Sequence, residues 1–360
     1  MQENINTRLY KLTQPYQADY HCPDRDARRL LLNPDTQFAN RQKDTEDTIK
    51  RIMTPNGKEG LHEQIAYLAQ IEKHIRGIAP QHRDHVIHAF LSFALGIYLQ
   101  HEYFHLSFDS LQWKISALFH DIAYPAEVAS TNFLMDIQNK LNNMRKRLHV
   151  RTRPDVVFEI VPKNLARLEN GDSFDFIQSC LEKWELEVDA KAEYNACVSS
   201  GKVCHGMLSA LILLYAIDML YESHNSYGDI AEYPLSVFGE GYISWDRRYF
   251  TQKIVPACSA IFIHNLDKKH FIRKKILRER APLAFMLKLV DTLQEWDRPL
   301  KNMPQGYPSK EFGVKIEGDK LFFGAPTDII TKIVPDMASF FAEADVEDIQ
   351  IVPMRPDLYA

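Results

Sequence analysis

The sequence predicts a mainly α protein: a helical core carrying a small α+β appendage at its C-terminal end. Two observations carry this expectation. His82 to Tyr103, Val203 to Tyr221, Ile254 to Ile263 and Pro282 to Trp296 are apolar around most of the helical circumference, as in helices enclosed by other helices. Beyond Pro299 the pattern changes, with Val314, Ile316, Leu321 and Phe323 flanking the hairpin signal Glu317-Gly318-Asp319-Lys320. Three segments follow from these shifts: a polar, breaker-rich arm over 1–60, a helical domain over 61–300 and the appendage over 301–360.

Taken in order, the arm holds Pro15, Pro23, Pro34 and Pro55, which leaves room for short helices only. Leu61, Ile65, Leu68, Ile71 and Ile75 recur at helical spacing, and Gly77 with Pro80 ends that helix. Ser110 is read as the cap of a helix running to Phe119. Arg145, Lys146, Arg147, Arg151 and Arg153 form a basic cluster, and Glu222 to Arg248 reads as a long loop that could cover a site. Thr331 to Ala344 has the pattern of an amphipathic helix, followed by a strand over Ile349 to Val352.

Composition excludes several classes. In 360 residues, 45% are hydrophobic and 25% charged, as in an ordinary globular protein. Lysine and arginine number 43 against 48 acidic residues, so a nucleic-acid partner is not indicated by net charge. The five cysteines form no CxxC pair, which argues against disulfides and thiolate metal sites and fits a cytoplasmic setting. The segment Met207 to Tyr221 is interrupted by Asp218 and too short to span a bilayer, so no membrane role is expected. There is no GxSxG elbow, phosphate-binding glycine loop or GxGxxG motif.

The chemistry is expected among the 14 histidines. The doublet His120-Asp121 ends an apolar helix, where two adjacent ligands can converge on one ion. A lone doublet is usually a surface pair, and a histidine on an apolar helix is usually hydrogen-bonded core. Here, however, His88, His205, His264 and Asp291 also interrupt apolar helices. Burying four imidazoles and two carboxylates separately costs several kcal/mol each, whereas a shared metal cluster satisfies their lone pairs together. Nitrogen and oxygen ligands without thiolate suit Zn, Mn, Fe, Ni or Co, with Mg a further candidate.

The order His88, His120-Asp121, His205, His264, Asp291, with the strings Arg83-Asp84-His85-Val86-Ile87-His88 and Leu289-Val290-Asp291-Thr292, resembles the HD superfamily of metal-dependent phosphohydrolases over roughly residues 80 to 300. The resemblance implies an all-helical core in which His88, His120, Asp121 and Asp291 hold a first ion. His205 and His264 would hold a second, with Asp121 between them. It implies His120 and Asp121 as the catalytic pair and a metal-activated water as the nucleophile. Two departures stand out: Ile122-Ala123-Tyr124-Pro125 follows the doublet where some members carry Gly-Lys near substrate phosphate, and the His-His-Glu run of cyclic-di-GMP phosphodiesterases is absent.

The expected activity is therefore hydrolysis of a phosphoester in a nucleotide, cyclic nucleotide or other small phosphorylated metabolite, with homo-oligomerisation compatible. Arg83, His85 and Lys114 are the expected substrate contacts; Arg247, Arg248, Lys253 and Arg298 are further cations close to ligands in sequence. Trp113, Tyr124 and Trp296 could stack a base, although core packing suits each. The alternative is a catalytically weak metal-binding module that senses a ligand or recruits a protein partner.

Overall fold

The computed structural model describes residues 4–34, 37–53, 83–106, 108–130, 135–147, 164–169, 171–201, 203–227, 247–298 and 307–354. The helix expected over Leu61 to Ile75 and most of the loop expected over Glu222 to Arg248 lie outside these residues, as do Arg151 and Arg153.

The architecture is mainly α with a small sheet. Three helices come first: α1 (Ile5–Thr13), α2 (Asp24–Leu32) and α3 (Phe38–Met53). The central group comprises α4 (His85–Leu99), α5 (Ser110–Phe119), α6 (Tyr124–Val128), α7 (Met135–Arg147), α8 (Ser173–Lys183), α9 (Ala190–Ser199), α10 (His205–Tyr227), α11 (Val255–His264) and α12 (Pro282–Leu293). Strands β1 (Arg167–Leu168) and β2 (Gly171–Asp172) make a minimal antiparallel pair.

At the C-terminal end, β3 (Gly313–Glu317) and β4 (Lys320–Ala325) form the expected antiparallel hairpin, with Gly318 at φ 57° in its turn. After α13 (Thr327–Phe340), β5 (Ile349–Pro353) pairs parallel to β4, so the sheet order is β3-β4-β5. Helix α13 starts four residues earlier than its periodicity suggests, because Thr327 follows Pro326 and Asp328 sits in the first turn facing the helix dipole.

Helix α11 is the hub. It is apolar on all sides, with Ala257, Cys258, Ala260, Ile261, Phe262 and Ile263 buried, and it packs against α5, α8, α10 and α12. Helix α4 is equally enclosed, lying against α1, α3, α5 and α12. A Cβ on Gly96 would sit inside the Trp113 ring, so glycine there permits the α4–α5 crossing. The cap of α5 differs from the expectation at Ser110. Asp109 accepts the Leu111 N–H at 2.8 Å, and Gln112 reaches back to the Asp109 N–H at 3.2 Å. The extended backbone of Asp109 and its longer reach make it the better acceptor for the first turn.

One continuous apolar cluster joins all three sequence segments. Ile5, Leu9, Ile49 and Met53 from the first share it with Val86, Leu118 and Phe262 from the second and Phe312, Val314, Phe323 and Phe341 from the third. Polar links reinforce it: Trp296 Nε1 donates to Asn6 Oδ1 at 3.0 Å, and Arg41 pairs with Asp297 at 2.6 Å. No helix among the described residues is long and apolar enough to cross a membrane. The five cysteines are free.

Candidate metal centre

The six expected metal ligands come from the ends of five helices. Asp84 caps α4 by accepting the Ile87 N–H at 2.8 Å, which places His85 and His88 one turn apart on its first turn. His120 is the C-cap of α5. A tight turn in which the Tyr124 N–H donates to the Asp121 carbonyl at 2.9 Å, with Pro125 opening α6, turns the chain just after Asp121. His205 begins α10, His264 ends α11, and Asp291 lies in the last turn of α12.

Asp121 is the centre of the arrangement. Its Oδ2 lies 3.2 Å from His120 Nε2 and 3.8 Å from His88 Nε2, while its Oδ1 lies 3.1 Å from His205 Nε2 and 3.4 Å from His264 Nε2. Asp291 joins the first side, with Oδ1 3.1 Å from His88 Nε2. The two His/Asp triads, His88–His120–Asp121 and Asp121–His205–His264, each have the spacing of a metal site.

The outward nitrogen of every histidine is occupied by an oxygen. His120 Nδ1 donates to the Ala117 carbonyl at 3.0 Å and His264 Nδ1 to the Ile261 carbonyl at 2.6 Å. His88 Nδ1 meets Gln294 Oε1 at 2.5 Å, and His205 Nδ1 meets Glu127 Oε2 at 2.7 Å. These acceptors place each proton on Nδ1 and leave four Nε2 lone pairs directed inward. Inside, His88 and His120 Nε2 are 3.2 Å apart, and His205 and His264 Nε2 are 3.3 Å apart. Facing lone pairs repel unless a proton or a cation lies between them. Outward anchoring of ligand imidazoles is the arrangement that orients histidines on a metal, so the residues of either triad could hold a metal ion.

The electrostatics agree. Burial opposes the charged form of Asp121, yet His120 and His205 hold its carboxyl well below the usual range. Against the same burial, Asp121 and Glu127 raise His205 well above its ordinary value, and Asp121 raises His120. Burial, aided by Arg83, pushes His88 down to about 3, and burial also lowers His264. Positive charge is thus favoured on both sides of the carboxylate, and a divalent cation supplies it without protonating a ligand.

A cavity of about 380 Å³ opens onto this centre. His85 lines it, its ring stacked on Tyr124 at 3.6 Å and its Nε2 4.0 Å from Asp121 Oδ2. Arg83 also lines it, donating to the Gln294 carbonyl and to Gln294 Oε1. Lys114 does not lie there: its ammonium is 2.7 Å from His21 Nδ1, because it sits on the α5 face turned toward the N-terminal helices. Lys253 pairs with Asp109 at 2.7 Å, away from the cavity. Of the three aromatic candidates, Tyr124 reaches the cavity, while Trp113 and Trp296 are core residues donating to Phe93 and Asn6.

Several residues around the centre and its cavity carry no sequence signal of their own. Glu127 and Asn265 flank His205, and Lys288, Glu295, Lys332 and Asp336 line the wall facing it. Glu295 accepts from Arg298 at 2.6 Å and from Lys332 at 2.8 Å, so the appendage supplies part of the cavity wall. Gln294 alone is traceable, standing three residues after Asp291 and so within helical reach of it. Comparison with known protein families, curated proteins and solved structures finds no match.

Proposed function

We propose that the chain is a phosphohydrolase of the HD superfamily, using a pair of divalent ions to hydrolyse a phosphoester of a small metabolite, nucleotides included. The observation that carries this reading is the Asp121 carboxylate set between two histidine pairs whose Nε2 lone pairs all point inward. Divalent ions held there would acidify water toward neutral pH and neutralise charge on phosphoryl oxygens.

The chain's own groups do the rest. Glu127, Gln294 and the Ala117 and Ile261 carbonyls fix the imidazole tautomers. Asp121 and Asp291 remain ionised and draw cations into the pocket. Arg83 and His85 line the cavity beside the carboxylates, where a phosphate would lie. The enclosing apolar helices keep bulk water from the centre and so strengthen these charge interactions. The free cysteines support a reducing, cytoplasmic setting.

The test is hydrolysis of bis-p-nitrophenyl phosphate and a panel of phosphorylated metabolites with added Mn, Fe, Ni or Co, beside metal analysis of the same samples. Wild-type turnover with Asp121→Asn lower by orders of magnitude and helical content unchanged is the expected result. Near-full activity of Asp121→Asn under saturating metal overturns the site. Metal binding without turnover on any substrate favours a binding module instead.

A further inference from the structure

Four cations line the cavity: Arg83, Lys288, Arg298 and Lys332. Three of them are committed to protein oxygens. Arg83 donates to both oxygens of Gln294, and Arg298 and Lys332 share Glu295 Oε1. Glu295 is buried, which favours its neutral form, but Arg83, Arg298 and Lys332 hold it ionised. These three cations therefore already have protein acceptors before any ligand arrives.

Lys288 is different. Its side chain lies over the Phe340 ring, with Nζ 4.2 Å from the ring centroid, and among the described residues the ammonium has no hydrogen-bond acceptor and no ion pair. The half-buried ammonium lies in the field of Asp291, Asp336 and Asp121, and with no protein acceptor its N–H donors stay open to the cavity, since a cation–π contact satisfies none of them. It stands three residues before Asp291 on α12, so the ammonium and the carboxylate share one face of that helix and both line the cavity. The Phe340 ring, brought by the C-terminal segment, holds the ammonium in this place.

We propose that Lys288 is the phosphate-binding cation of the site, donating to an oxygen of the substrate phosphoryl group bound beside Asp291. The inference rests on the phosphohydrolase reading for the identity of the anion, and on the unmet donors of Lys288 for its place. No lysine follows the His120-Asp121 doublet, so the cavity takes this charge from α12 instead. The arrangement also assigns α13 a part in substrate binding, since Phe340 orients the lysine that touches the substrate. The ligand class is a small phosphoester with an accessible anionic phosphate, in keeping with a 380 Å³ cavity whose lining is mostly charged.

The experiment titrates inorganic phosphate into metal-loaded full-length protein by calorimetry, comparing wild type with Lys288→Met and Lys288→Arg. Methionine keeps the length of the stem and removes the charge, and thermal melts establish that the fold is retained. The expected result is phosphate affinity lower by about tenfold to a hundredfold in Lys288→Met, with partial recovery in Lys288→Arg and unchanged metal content. Equal affinity in wild type and Lys288→Met, or no phosphate binding by wild type, overturns the assignment. Turnover of the phosphoester panel separates the two ideas. Phosphate binding that depends on Lys288 in a protein without turnover keeps this site and removes the hydrolase reading, whereas wild-type turnover unaffected by Lys288→Met does the reverse.

Discussion

Glu127 Oε2 accepts from two nitrogens of His205 at once, the backbone N–H at 2.8 Å and the ring Nδ1 at 2.7 Å. One carboxylate oxygen therefore satisfies an orphan donor at the start of α10 and fixes the tautomer of the imidazole that faces Asp121. Glu127→Ala is expected to weaken the ion at His205 and His264 by about 10- to 100-fold while leaving the His88 side loaded. Metal titration read by competition with a chelator checks this, and two ions bound with wild-type affinity in the variant would remove Glu127 from the site.

Gly206 sets how closely α10 approaches α11. A Cβ there would lie 2.8 Å from the Ile261 carbonyl oxygen and 2.9 Å from His264 Nδ1, displacing the acceptor and the donor of the same hydrogen bond. Gly206→Ala is expected to lower stability by about 1–3 kcal/mol and to shift His264 away from Asp121. Urea unfolding together with metal stoichiometry tests it; an unchanged midpoint with full metal content contradicts the close approach.

Phe312 joins the appendage to the core, fully buried among Trp296, Tyr307 and Phe323. Together with Lys332 on Glu295, this makes residues 307–354 part of the structure that holds the cavity. Phe312→Ala is expected to cost about 3–5 kcal/mol in chemical unfolding, as a single transition rather than loss of the appendage alone. Two separate transitions would show that the C-terminal segment unfolds independently.

Burial pushes His85 and His88 down to about 3 from an ordinary value of 6.5. Both folded values lie below the unfolded value, so folding favours the neutral rings. That contribution is present in full above pH 6.5 and is lost as pH falls from 6.5 toward about 3. His205 and His120 have the opposite sign, raised above 6.5, and oppose this slope only near pH 6.5; about a unit lower they are protonated in both states and contribute none. Metal-free protein is thus expected to lose stability steadily between pH 6.5 and 4.5, with a shallower slope in His85→Phe. A flat urea midpoint across that window, or an identical slope in the variant, contradicts the assignment.

The helical core, the hairpin and the polar interruptions at His88, His120, Asp121, His205, His264 and Asp291 were readable from the sequence, because burial on all sides of a helix leaves an uninterrupted apolar pattern in which each polar residue stands out. Convergence of those residues on Asp121 was foreseeable as the cheapest way to bury them together. What supports them was not. Glu127 looks like any acidic residue on a short helix, Lys332 and Asp336 look like solvated positions on an amphipathic one, and Lys288 is a cation on an apolar helix with nothing in the sequence to say what it faces. Lys114, by contrast, stands close to the doublet in sequence yet turns toward His21. Periodicity reports how deeply a residue is buried on its own helix, but which side chains meet across a cavity depends on how distant helices cross. Only the packing of α6 on α10 and of α13 on α12 decided that Glu127 would orient His205, and that the C-terminal segment would wall the site.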